Sequence, residues 1–126
     1  MADASFDFDL MARLGARFRT FDAGETVFLQ NEQGSLLYVV RSGRVDVITF
    51  GKLLENIGAN GIFGEIAFLD EGPRRAAALA CEPTEVAVLD KPAFMALVRE
   101  DPGFALHVMR IMAERLRRFA AGPLTS

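Results

Sequence analysis

The hydrophobic positions change their period twice along the chain, and the changes divide it into three parts. From Phe6 to Phe18 the apolar residues Phe6, Leu10, Met11 and Leu14 recur at helical spacing, which predicts a short amphipathic helix closed at Gly15. Between Gly24 and Asp90 the pattern shortens to β-rich pieces at Thr26 to Leu29, Leu36 to Ser42, Arg44 to Phe50, Leu53 to Ile57, Ala76 to Ala80 and Glu85 to Leu89. Gly34, Gly43, Gly51, Gly58, Gly61, Gly72 and Pro83 separate these pieces. That punctuation suits a compact β-sandwich or barrel of about seven short strands. Val45 and Val47 alternate with Arg44 and Asp46, and Val86 and Val88 follow Glu85, as in half-buried strands lining a core. After Asp90 the period lengthens into two helices. Asp101 and Pro102 read as an N-cap and first-turn proline opening the long second one, which runs to about Phe119. The tail from Ala120 to Ser126 reads as a frayed end.

Composition narrows the function classes. The chain has 126 residues, of which 51% are hydrophobic and 25% charged, so one foldable domain is expected over 1–126. Its β-unit covers about 21–90 and its C-terminal helices about 91–119. A net charge of −3 lacks the electrostatic footprint of a nucleic-acid binder, so DNA is not expected as a direct partner. Arg110, Arg115, Arg117 and Arg118 gather near the end, where cations complement a helix dipole. No apolar run approaches the ~20 residues of a membrane span, and Met1 to Ala4 carries no signal-peptide pattern, so a cytoplasmic location is expected. Cys81 is the only cysteine; it reads as a small buried apolar residue, and neither an internal disulfide nor a Cys-rich zinc site can be built from it. His107, the only histidine, reads as a helix-surface residue, so no metal cluster is expected. No nucleophile has a plausible base and no acid/base pair stands out, so neither catalysis nor a cofactor is expected.

The chemistry concentrates between Ile57 and Leu79. Gly61 and Gly64 let the backbone approach a ligand, and a helical turn beginning at Gly64 and Glu65 would aim free N–H groups at an anion. Arg74 adds a planar, permanently charged fork suited to phosphate oxygens. A carboxylate beside a phosphate is repulsive, so Glu65 suits a neighbouring sugar hydroxyl instead, as acidic residues do in dinucleotide sites. The residues together suggest a ribose phosphate; the plainer alternative is an ordinary surface ion pair between Glu65 and Arg74.

The segment Phe63-Gly64-Glu65-Ile66-Ala67-Phe68-Leu69, followed by Pro73-Arg74 and Ala76, closely resembles the phosphate-binding cassette of the cyclic nucleotide-binding domain family. Phe21 to Phe28 is similar to the opening strand of that family, and Leu37 to Val45 to its central hairpin, so the resemblance runs from about Phe21 to Phe119. It implies a mainly β fold with flanking α, a double-stranded β-helix or jelly roll. It also implies that Glu65 binds the ribose 2′-hydroxyl and Arg74 the cyclic phosphate. The N–H groups of Ala67 and of Arg75 or Ala76 would complete the cradle, Gly64 would permit the turn, and Ile66 would touch purine or ribose.

Three features depart from the family pattern. Arg75 replaces a small residue whose hydroxyl often accompanies a cGMP preference, so cAMP is favoured over cGMP, with Arg75 either solvated, adding a second phosphate contact or preferring a ligand of higher charge. The C-terminal helix is short, which leaves Arg115, Phe119 and Arg118 as candidates to lid the base, Phe119 by stacking. No helix-turn-helix fits after Phe119, so either an unidentified effector protein would supply the readout or the chain is a fragment of a longer protein. Ala105, Met109, Met112, Leu116 and Phe119 follow coiled-coil spacing while Phe104, Val108 and Ile111 form a second apolar line, which predicts one line on the β-unit and one in a homodimer. The expected function is a non-catalytic cyclic nucleotide sensor signalling through its C-terminal helices. The alternative is a ligand-free scaffold of the same fold acting in dimerisation or protein interaction.

Overall fold

The strand Thr84–Leu89 decides the layering. Val86 and Val88 belong to one apolar cluster, Ala87 and Leu89 to another, and all four are buried. Successive side chains of a strand point to opposite faces, so such a strand must be covered twice. The computed structural model describes the backbone of residues 6–124 and side chains from 6 to 118, and it supplies both covers.

In chain order the elements are α1 (Phe8–Arg13), β1 (Arg17–Phe21), β2 (Thr26–Phe28), β3 (Leu37–Ser42), β4 (Val45–Thr49), β5 (Lys52–Ile57), β6 (Ile62–Phe63), α2 (Glu65–Asp70), β7 (Ala77–Ala80), β8 (Thr84–Leu89), α3 (Lys91–Glu100) and α4 (Pro102–Leu124). Two four-stranded antiparallel sheets, ordered β1-β8-β3-β6 and β2-β7-β4-β5, form the jelly roll. Phe21, Phe28, Tyr38, Val40, Val45, Ile57 and Phe63 fill one cluster with Val86 and Val88. The other cluster joins Leu37, Val39 and Leu89 to Met11, Phe68, Leu97, Phe104 and Val108 of the helices. β8 and β3 thus serve two cores, and the apolar run of β8 is continuous rather than half-buried as its alternation predicted.

The expected order of short helix, β-unit and two C-terminal helices holds, and all six predicted strands are present within one or two residues. Two were missed. Arg17–Phe21 follows the predicted close of the first helix at Gly15, where the chain turns at φ 112°, and the stretch pairs with Val88 through Thr84. β6 has two residues, too few to show a period, and pairs only with Tyr38 and Val39. α1 is shorter than predicted: Asp7 caps it by accepting from the Leu10 N–H, and Phe6 stays outside, packed edge-on to Phe104.

Three further expectations are corrected. Cys81 is exposed, because it follows β7 in a turn instead of continuing the buried strand. His107 is half-buried: its ring meets Phe6 edge-on at 4.4 Å, and its Nε2 is buried without a hydrogen-bond partner. α4 does not fray at Ala120. Ala120 and Ala121, the best of helix formers, carry it to Leu124, so Arg115, Arg117 and Arg118 lie a turn or more inside its end and do not serve the dipole.

Candidate functional site

Gly64 sets up the site. It holds φ at 81°, a conformation that side chains resist, and a Cβ there would come 2.7 Å from Arg74 Nη1. It begins α2 without a capping side chain, so the first-turn N–H groups receive no acceptor from the cap residue. A cavity of about 130 Å³ opens beside this turn. Phe63, Gly64, Glu65, Ile66, Ala67, Arg74, Arg75 and Ala76 line it, together with Glu55 of β5 and Arg115 of α4. Pro73 lines an adjoining cleft that also touches Ile66, Ala67, Arg74 and Arg75. Every predicted ligand contact of the cassette therefore borders one of two neighbouring spaces, whereas Phe68 is buried in the core on the helix side.

Arg74 is 4% exposed, and the protein's own backbone engages its guanidinium. Nη1 donates to the Gly64 carbonyl at 2.8 Å and Nη2 to the Leu36 carbonyl at 2.9 Å, while the group lies over the Phe28 ring at 4.2 Å. Burial lowers its pKa, with the Tyr38 hydroxyl the largest opposing influence. Gly34 makes room for it, since a Cβ there would collide with the guanidinium. The cation is thus preset by the Gly64 carbonyl just before α2, the rings of Phe28 in β2 and Tyr38 in β3, and the loop before β3.

Glu65 does not pair with Arg74. Its Oε2 accepts from Arg115 Nη1 at 2.9 Å, and the two side chains are 13% and 10% exposed. Arg115 Nη2 donates to the Ile62 carbonyl. Its Nε stands 3.0 Å from Glu55 Oε1 but is misaligned for a hydrogen bond, so the contact is an ion pair that leaves the N–H unsatisfied. Arg118 reaches the other Glu55 oxygen at 3.1 Å. Arg115, a candidate lid in the sequence, does border the cavity. Arg118, a second candidate, reaches Glu55 and is not among the lining residues, and the side chain of Phe119, the third, lies outside the described residues.

Arg75 is largely solvated, 3.8 Å from Asp70, although it borders the cavity. The residue that sequence reasoning passed over is Glu55. It stands opposite Val47 across β4 and β5 and two residues before buried Ile57, an inward position that a carboxylate rarely takes. That break in the alternation was the available signal.

The cyclic nucleotide-binding domain model matches residues 18–101. The cyclic AMP receptor protein of Thermus thermophilus is 36% identical over 104 residues, covering 79% of this chain and 48% of that protein. The chain thus spans about half the length of that relative. The crystal structure of Thermus thermophilus catabolite activator protein superposes with a TM-score of 0.78 at 34% identity, over 90% of this chain and 55% of that one. A second solved chain, described by the words "A cyclic-GMP-dependent signalling pathway regulates bacterial phytopathogenesis", gives 0.68 at 25% identity over 98% of both. The match over most of the β-roll, with the cassette turn at Gly64 in place, makes this chain a member of the cyclic nucleotide-binding domain family.

Proposed function

We propose that the chain is a single, non-catalytic sensor domain over 1–126 that binds a cyclic purine nucleotide in the cavity beside α2. The observation that carries this reading is the meeting of Glu65, Arg74 and the uncapped α2 turn around one space. Glu65 accepts from the ribose 2′-hydroxyl, Arg74 and the N–H groups of Ala67 and of Arg75 or Ala76 hold the cyclic phosphate, and Ile66 covers the ribose or base. Arg115 joins Glu65 to α4, so a ligand that engages Glu65 competes with or reshapes the contact that docks the helix. Differential affinity for two helix positions is what lets binding become a signal. Met109 and Leu116 are exposed on α4 while Phe104 and Val108 are buried, which supports a homodimer through the outer line, with the output read by an effector protein in the cytoplasm.

Calorimetry with cAMP and cGMP tests the reading. Saturable heat is expected with at least one, and its absence for both at millimolar concentration overturns it. A second reading, a scaffold that keeps the fold without ligand, draws on the fact that backbone carbonyls already engage Arg74 and Arg115 engages Glu65. It requires that Glu65→Ala and Arg74→Ala leave partner binding intact.

A further inference from the structure

The inward face that β4 and β5 present to the cavity is apolar at Val47 and Ile57 and carries one carboxylate, Glu55. Its side chain is 20% exposed. A carboxylate so placed costs free energy unless it is paired or receives hydrogen bonds. Its cations come from α4, and the nearer one, Arg115 Nε, makes no hydrogen bond to it. Glu55 is therefore paired with two arginines yet keeps acceptor capacity on the cavity wall.

We propose that Glu55 reads the base of the bound nucleotide and selects guanine; the proposal rests on the cyclic nucleotide reading of the cavity. One guanidinium bridges Glu65 and Glu55, so the two carboxylates are separated by the span of a single N–C–N unit and its contacts. In a purine nucleotide with its base anti, the 2′-hydroxyl and the C2 side of the base lie along one edge. With Glu65 on the 2′-hydroxyl, Glu55 stands near the C2 side. Guanine offers two donors there, N1–H and the 2-amino group, arranged as in a guanidine and suited to a carboxylate fork. Adenine offers a C–H and an unprotonated N1, and hypoxanthine offers N1–H alone. An acceptor-only carboxylate therefore favours guanine, rejects the lone pair of adenine N1, and separates guanine from hypoxanthine by the amino group. Arg75, which lacks the hydroxyl whose absence argued for cAMP, has no acceptor to offer this edge and lies 3.8 Å from Asp70, largely solvated.

The test is calorimetry of the full chain with cGMP, 3′,5′-cyclic IMP and cAMP, repeated on Glu55→Gln. The wild-type protein should bind cGMP about tenfold or more tightly than the other two, the discrimination that a bidentate pair supplies. Glu55→Gln should bring the cGMP to cyclic IMP ratio close to one. A role for Glu55 in helix docking alone would weaken all three ligands together and leave their ratios unchanged, which overturns the proposal. Wild-type affinity for cAMP or cyclic IMP equal to or above that for cGMP overturns it too, whatever the folding of the variant, while leaving the cyclic nucleotide reading intact. Absence of binding by all three overturns both.

Discussion

Arg115 Nη1 donates to Glu65 Oε2 at 2.9 Å, across a sequence separation of 50 residues, and so fastens the last helix to the turn at the head of α2. Both partners are mostly out of water, so removing one leaves the other's charge uncompensated, which costs more than breaking a typical surface ion pair. Arg115→Met keeps the apolar stem and removes the charge. It is expected to cost about 1.5–3 kcal/mol of unfolding free energy, and to speed amide exchange in α4. Urea titration and hydrogen exchange check both; an unchanged exchange pattern in α4 would refute the fastening.

Arg74 serves the fold as well as the site. Arg74→Lys can satisfy at most one of the Gly64 and Leu36 carbonyls in the same geometry, and a buried acceptor left unpaired costs about 1–3 kcal/mol. Loss of stability in a urea titration should therefore accompany any loss of cyclic nucleotide affinity. A variant as stable as the wild type would show that the carbonyl bonds contribute nothing.

Gly34→Ala probes the same guanidinium from the other side. The φ at Gly34 lies outside the left-handed region, so only the collision of the new Cβ with Arg74 is at issue. Displacing Arg74 should weaken nucleotide binding at least tenfold, while Gly72→Ala, where a Cβ meets nothing, should bind like the wild type. Equal affinity in the two variants would count against Arg74 as the phosphate cation.

His107 makes stability depend on pH. Burial, and then the charge of Arg110, lower its pKa in the folded state, so the unfolded chain binds the proton more readily. The contribution is complete above the unfolded value of about 6.5 and declines as pH falls from there through the folded value. Thermal unfolding from pH 7.5 to 5 should show less decline in His107→Gln than in the wild type; parallel curves would refute this.

The outer line of α4 gives the dimer prediction. Leu116→Glu places a charge at an exposed position without touching Phe104 or Val108. Light scattering should report a dimer for the wild type and a monomer for the variant. A wild-type monomer at all concentrations would remove the dimer from the proposed function.

The cassette was legible because its chemistry is local. Gly64, Glu65 and Arg74 lie within eleven residues, and each residue type suits its place: a left-handed φ, an acceptor, a fork. Six strands were legible because glycines at their ends leave a clear period between them, whereas β6 is too short to carry one and β1 stood next to a helical pattern. The partner of Glu65 was not legible. The only protein partner the sequence offered, in the plainer alternative of a surface ion pair, was Arg74 nine residues away, whereas the structure pairs Glu65 with Arg115.

The sequence by itself determined the β-roll with its helices, the family, and the turn at which an anion would sit, since period, glycine placement and residue chemistry act over short stretches. Only the tertiary structure decided that β3 and β8 serve two cores, that Arg74 is bound by the Gly64 and Leu36 carbonyls, and that Glu55, Glu65 and Arg115 meet at one cavity. The physical reason is distance along the chain. Contacts between residues 50 and 60 positions apart depend on how sheets and helices pack, and packing sums many weak apolar contacts that no single spacing records.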